Sequence, residues 1–140
     1  MSKFFLSIVL IFLAPNLLFC KYSNRNNKDW DSKFETTIKK DVPVEFNIND
    51  KIRAKKFKFH WTLFVNKGIV IVANYDGFPS QYILYKNDNL NSFKIPLAGA
   101  GSLVLVEFSD FLIDSKEAKF KIMFKNSKAE MLNQKPQSQN

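Results

Sequence analysis

The chain has 140 residues, 46% of them hydrophobic, with 15 Phe but only 4 Gly and 5 Pro, which fits one small domain once the ends are removed. This composition is that of a globular rather than a disordered chain. The formal charge of +8 at pH 7 suits anionic surfaces without specifying a partner, and a single cysteine excludes an internal disulfide framework.

The first segment, MSKFFLSIVLIFLAPNLLFC, has the organisation of a secretory signal. Lys3 precedes a dense apolar run from Phe4 to Ala14, and Pro15 interrupts that run. The run is too short to cross about 30 Å of hydrocarbon, which takes about 20 residues. A basic start followed by a short apolar core predicts export, with residues 1–19 as the signal peptide.

The only cysteine follows the signal directly, in the stretch LLFC. This stretch resembles the lipobox of bacterial lipoproteins, with Leu17 three positions before Cys20 and Phe19 where a small residue is usual. The resemblance covers residues 1–20 and implies lipid attachment at Cys20, with the two or more acyl chains that stable anchoring needs. Lys21, in place of Asp, implies onward transport to the outer membrane. Cleavage at another site and an uncleaved signal anchor are the alternatives.

The segments on either side of the central region are polar. Residues 20–34 are rich in Asn and contain few large apolar groups, so they predict a tether between the membrane and the domain. Residues 127–140 contain mainly polar side chains and predict a flexible C-terminal tail. The folded domain is therefore expected over residues 35–126.

Within these limits the apolar residues recur with a period of two, which indicates β-strands. Short clusters rich in Gly, Asn, Asp or Ser separate the alternating segments and predict turns. An eighth strand is expected near residues 35–39. The seven clearer segments are VPVEFNI, KKFKFHWTLFV, IVIVANY, QYILY, SFKIPL, SLVLVEF and KFKIMFK.

Seven to eight short strands predict an all-β domain, an antiparallel β-sandwich of immunoglobulin-like kind. Trp61 lies in the middle of an alternating strand, where such folds bury a tryptophan, but no cysteine pair accompanies it. No segment carries a long apolar stripe of helical period, and SDFLIDSKEA has room for one helical turn at most. A small closed barrel is the second choice.

The sequence does not predict an enzyme. His60 is the only histidine, and a nucleophile needs a base and an orienting group nearby. One histidine without a cysteine pair excludes the common zinc patterns, and the acidic residues lack the spacing of a calcium loop. No catalytic residue, metal or cofactor is expected.

Two rows of basic side chains form the candidate binding face. If the two strands that carry them are neighbours, the rows combine into one basic surface; otherwise they are the lysines that commonly protect strand edges from aggregation. The aromatic residues alternate with these lysines and face the core, which argues against a nucleic-acid platform. The six residues are Lys56, Lys58, His60, Lys119, Lys121 and Lys125.

The runs IVIV (residues 69–72) and LVLV (residues 103–106) are apolar at every position, and Phe64 interrupts a polar row. One row from each run must therefore face away from the sandwich core. Either a flanking segment covers these rows, or they form an exposed apolar strip that binds a protein partner or a second copy.

Together these features predict a non-enzymatic, exported protein that is anchored to the bacterial envelope, in the outer membrane, by lipid on Cys20. Its expected role is that of a protein-binding or structural module, with another envelope protein or a homodimer as the partner. The alternative is a binder of anionic glycans or lipid headgroups through the basic face, which salt would weaken.

Overall fold

The computed structural model describes residues 30–49, 53–86 and 89–132, and these form nine strands. Within the strands, more buried side chains mostly alternate with more exposed ones, as expected for a sheet with one face in solvent. The strands are β1 (Ser32–Lys39), β2 (Val44–Asn49), β3 (Ala54–Val65), β4 (Gly68–Tyr75), β5 (Phe78–Tyr85), β6 (Ser92–Pro96), β7 (Leu103–Leu112), β8 (Glu117–Lys125) and β9 (Lys128–Met131).

The strands form two antiparallel sheets. Sheet I has the order β1-β8-β7-β6, and sheet II has the order β5-β4-β3-β2-β9. The chain passes between the sheets three times, after β1, β5 and β8, and consecutive strands otherwise pair as hairpins. The predicted antiparallel sandwich is therefore confirmed, as two separate sheets rather than one closed barrel.

Phenylalanine fills much of the space between the sheets. Phe59 of sheet II meets Phe120 of sheet I edge to face, with ring centroids 5.3 Å apart. Phe46 and Phe124 make a second contact between the sheets at 5.3 Å. Such pairs add to the free energy already gained by burying the rings. The aromatic-rich composition is thus used mainly in the core.

Trp61 lies at the centre of this core and is 3% exposed. Its Nε1–H donates a hydrogen bond of 2.8 Å to the carbonyl oxygen of Ile38, at the end of β1 in the opposite sheet. The Asp41 N–H in turn donates to the Trp61 carbonyl oxygen. The buried tryptophan therefore fixes the connection between β1 and β2 without any disulfide.

The domain is longer at both ends than its sequence indicates. β1 begins at Ser32, inside the expected tether, because its residues pair with β8 up to Ser32 opposite Phe124. The segment from Lys128 to Met131 belongs to the expected tail but forms β9 at the edge of sheet II, where Met131 is opposite Phe46. The segment considered for a helical turn continues β7 as far as Leu112, forms the turn at residues 113–116 and begins β8 at Glu117.

A β-bulge in β3 reverses the facing of its last residues. The register with β4 shifts between Trp61 and Leu63, so that Thr62 is an extra residue in this strand. Strict alternation predicts Leu63 and Val65 in the core, but they are 51% and 52% exposed. Phe64 points inward instead and stacks on Phe111 of sheet I, with ring centroids 3.9 Å apart.

The two ends of the sandwich differ in character. We call proximal the end at which the described chain begins, beside the loop between β6 and β7, and distal the end that carries the turns at residues 66–67 and 113–116. Of the ten exposed large hydrophobic side chains among the described residues, only Phe78 is proximal. Leu132, beside the paired Glu45 and Lys58, lies near the middle. The distal half carries Val42, Leu63, Val65, Ile83, Tyr85, Leu90, Leu112 and Ile113.

Candidate functional site

The two predicted basic rows lie on opposite sides of the molecule. β3 is in sheet II and β8 is in sheet I, so the strands are not neighbours. Each row alternates with buried phenylalanines and therefore points away from the core. The single six-residue basic surface does not form. Lys56, Lys58 and His60 lie on the outer face of sheet II, whereas Lys119, Lys121 and Lys125 lie on the outer face of sheet I.

Acidic residues accompany both rows. Lys121 lies in register between Glu35 of β1 and Glu107 of β7. On the other sheet, Lys58 lies opposite Glu45 of β2. Opposite charges in neighbouring strands stabilise a sheet by about 0.2–1 kcal/mol per pair, so these lysines have a structural use in their own sheets. Anion binding by either row alone stays a prediction.

His60 lies on the outer face of sheet II, opposite Val72 of β4, and its side chain is half-buried. The next outward residue toward the start of its strand is Lys58. In the part of the chain that the structure describes, no group of three or more His, Cys, Asp or Glu side chains is placed to hold a metal ion.

Cys20 and the rest of the predicted signal and tether up to residue 29 lie outside the described residues. Lipid attachment at Cys20 therefore stays a prediction from the sequence. The described ranges contain no helix that is long and apolar enough to span a bilayer.

The outward row of the LVLV run is largely covered by its own sheet. Leu105 lies opposite Met123 of β8, and Met123 lies opposite Lys33 of β1. Met123 is only 7% exposed although it faces outward. Lys121 and Lys125 flank it on the same face of β8, and lysine stems cover apolar surface while their ammonium groups stay in water. This row needs no partner.

The outward row of the IVIV run belongs to an exposed apolar surface on sheet II. Leu63 of β3, Val70 of β4 and Ile83 of β5 lie side by side in one row across three strands. In the next row, Val65 and Tyr85 flank Gly68. The β3–β5 patch, as we call it, consists of Leu63, Val65, Val70, Ile83 and Tyr85. It contains no charged side chain.

Gly68 keeps this patch continuous. A Cβ atom at this position would lie 2.8 Å from Cε1 of Tyr85, which means that the tyrosine ring occupies the space above the glycine. Gly68 is consequently buried, although the neighbouring outward side chains are exposed. The aromatic ring thus bridges Val65 and the strand edge, in the way that aromatic residues commonly cover a glycine in a sheet.

Besides the outward turn of Leu63 and Val65 after the bulge, the contribution of β5 to the patch was missed by the sequence analysis. Tyr82 and Leu84 point into the core, where Tyr82 stacks on Phe93 with ring centroids 3.9 Å apart. Ile83 and Tyr85 therefore point outward and are 55% and 37% exposed. The signal was present in QYILY, whose last four residues are apolar or aromatic on both faces of the strand.

A cleft of about 570 Å³ opens at the proximal end. One wall contains Tyr75, whose hydroxyl oxygen accepts a hydrogen bond from the Ala98 N–H at 3.1 Å. On the opposite wall, Ser102 Oγ donates to the Asn126 carbonyl oxygen at 2.8 Å. Lys55 Nζ lies 5.5 Å from the centre of the Tyr75 ring. These bonds hold the loops to one another, and they account for the shape of the cleft without a ligand.

We compared the chain with protein-family models, with curated proteins and with solved structures, and none of the three comparisons found a match.

Proposed function

We propose that this chain is a non-enzymatic lipoprotein of the bacterial cell envelope, a module for protein binding or structure. Acyl chains on Cys20 hold it to the membrane, by this proposal the outer membrane, and the residues that follow provide reach for the sandwich. The observation that carries the binding role is the β3–β5 patch, because a contiguous exposed apolar surface on a folded domain is typical of an interaction site. The sequence around Cys20 supports the anchor.

Anion binding is the less favoured function. It was predicted on the condition that six basic side chains share one surface, but these residues lie on two opposite faces of the sandwich. A binder of glycan or headgroup anions loses affinity steeply as salt is added. Apolar protein contact, in contrast, is not weakened by salt, so a salt titration against anionic vesicles separates the two functions.

The anchor is tested by expressing the full chain in a bacterium, separating membranes from soluble protein and determining the mass of the N-terminal peptide. We expect a peptide that starts at Cys20 and carries acyl groups. Cys20→Ala should abolish the acylation and the mature cleavage. Asn24→Ala, in the same polar segment, is the matched control and should behave like the unchanged chain.

Three results would contradict the anchor. A membrane-bound chain that still starts at Met1 would indicate an uncleaved signal anchor. A soluble product that is cut elsewhere would indicate ordinary secretion. An unmodified thiol at Cys20 in the mature protein would exclude lipidation directly.

A further inference from the structure

We infer that the β3–β5 patch binds the same patch of a second copy of this chain, face to face, with both tethers leaving at the same end of the dimer. The inference rests on the lipid anchor proposed above, and it names the partner of the binding module. Three features support it: the patch is apolar, the tether leaves at the proximal end, and the β5 edge is partly blocked for pairing with another strand.

The chemistry of the patch suits a copy of itself. Its centre is aliphatic, with Leu63 and Ile83 about half exposed on either side of Val70. Side chains on the outer face of a pleated sheet interdigitate well with those of a second sheet. The five side chains are uncharged, so their own contact buries no charge, and the next outward side chain of β3 before the bulge is His60.

The size of the patch predicts a weak dimer in solution. Four exposed apolar side chains and the partly buried Val70 offer on the order of 400 Å² per copy, against roughly 800 Å² per partner in a standard stable interface. Anchoring in one membrane changes this balance, because it confines the copies to a surface and raises their effective concentration. The contact is thus adapted to an anchored protein rather than to a free one.

The tether fixes how two anchored copies face each other. Asp31 lies at the proximal end, and β3 extends over 12 residues, about 40 Å, toward the distal end. Ten residues lie between Cys20 and Asp31, and a random coil of that length has an average span of about 18 Å. The proximal end must therefore stay near the membrane, and both copies present the β3–β5 patch at the same height.

This arrangement excludes the other obvious dimer, in which two β5 edges pair as antiparallel strands. The symmetry axis of such a pair is perpendicular to the strands, so the two tethers would leave at opposite ends. The edge is also partly blocked, since the Tyr85 N–H already donates to the Leu90 carbonyl oxygen and Pro79 has no N–H. In face-to-face contact about an axis parallel to the strands, both tethers leave at the same end and the β5 edge does not have to pair.

The electrostatics give this dimer a distinctive signature. Outside the patch, the same outer face of each copy carries Lys56 and Lys58, so the face-to-face arrangement brings two positively charged surfaces toward each other, and these repel. Added salt screens that repulsion and should strengthen the dimer. Binding of anions by the same lysines would have the opposite salt dependence.

Cross-linking in membranes tests the inference, because acylation of Cys20 leaves the chain without a free thiol. Thr62→Cys places a thiol at the bulge, next to Leu63, without changing any of the five patch residues. Because β3 of one copy lies over β5 of the other, the two thiols are joined with a bis-maleimide that spans about 14 Å, the distance given by two strand spacings and one sheet separation. Thr37→Cys makes the same substitution on the exposed outer face of sheet I and is the matched control. In membranes that contain the acylated full chain, we expect about tenfold more cross-linked homodimer from the first variant than from the second, and more at high salt.

A second pair of variants tests the surface itself. Ile83→Lys places a charge in the β3–β5 patch and should remove most of the Thr62→Cys cross-link. Ile113→Lys makes the same change at a distal turn, where the isoleucine is 79% exposed, and should leave the cross-link intact.

The inference is overturned if the two cysteine variants cross-link equally, if Ile83→Lys has no effect, or if Thr62→Cys joins only a different protein. Mass analysis of Cys20 in the same membranes separates the two proposals. If Cys20 is acylated but no dimer forms, the lipid anchor is supported and the dimer is contradicted. If Cys20 is not acylated, the lipid anchor is contradicted.

Discussion

Lys86 and Asp110 connect the two sheets near the distal end. Lys86 follows β5 of sheet II, and its Nζ lies 2.5 Å from Oδ1 of Asp110 in β7 of sheet I. The same oxygen accepts a hydrogen bond of 2.8 Å from the Phe111 N–H. The hydrogen bond from Lys86, followed by that from Phe111, holds the pKa of Asp110 below its ordinary value. Both donors favour the ionised carboxylate.

This pair predicts a specific pH dependence of stability. Because the pKa is lowered on folding, the contribution of Asp110 is present above the ordinary aspartate pKa and is lost as the pH falls through the lowered value. We expect Asp110→Asn to be less stable than the unchanged chain at neutral pH, and the difference to disappear on acidification. Urea unfolding over a series of pH values measures it.

The control for this experiment is Asp114→Asn, at an exposed turn position close in sequence. It should show little difference from the unchanged chain at any pH. If the stability lost in Asp110→Asn stays constant down to strongly acidic pH, the carboxylate charge does not contribute to the stability of the fold.

At the scale of the element, the bulge in β3 gives one strand two tasks. Before the bulge, Phe57, Phe59 and Trp61 face the core and the lysines face water. After the bulge, Phe64 continues the core while Leu63 faces out. One extra residue therefore changes the outer face of the strand from basic to apolar without interrupting the core.

The bulge predicts an unusual ranking of two neighbouring substitutions. Phe64→Ala removes a ring that stacks on Phe111 across the sheets, and we expect it to lower the free energy of unfolding by about 2 kcal/mol or more. Leu63→Ala removes an exposed side chain and should cost less than about 1 kcal/mol. Urea unfolding at low protein concentration, where the inferred dimer would dissociate, gives both values.

Val65→Ala serves as a second exposed control on the same strand and should resemble Leu63→Ala. A larger loss for Leu63→Ala than for Phe64→Ala would place the leucine in the core. That outcome would rule out the bulge and, with it, the β3–β5 patch.

At the scale of the whole molecule, β9 extends the described part of the domain beyond β8, at the edge of sheet II. β9 pairs with β2 along the edge of sheet II, and Ala129 and Met131 pack against the core. The Leu132 N–H donates to the Glu45 carbonyl oxygen at 2.9 Å. These contacts join the last described residues to the sandwich.

Shortening the chain tests this boundary. We expect the free energy of unfolding of a chain that ends at Ser127 to be lower by at least about 1–2 kcal/mol. Such a chain lacks the partly buried Ala129 and Met131 and the pairing of β9 with β2. A chain that ends at Leu132 is the matched control and should unfold like the full chain. Equal midpoints in urea for both shortened chains would show that β9 does not contribute to the stability of the domain.

The sequence by itself determined the fold class and the face of most side chains. Alternation with a period of two reports which residues of a strand share a side, and this information is local. It correctly placed Phe57 and Phe59 in the core, and Lys56 and Lys58 in water. It also identified the residues around Cys20 from which the anchor is proposed.

The tertiary structure alone decided which surfaces exist. Alternation does not report which strands are neighbours, so it left open whether Lys58 and Lys121 share a face, and the strand order separates them. It also assumes an unbroken strand, so the bulge that turns Leu63 outward beside Ile83 was hidden. Strand order and register depend on contacts between residues far apart in the chain, and no local pattern encodes them.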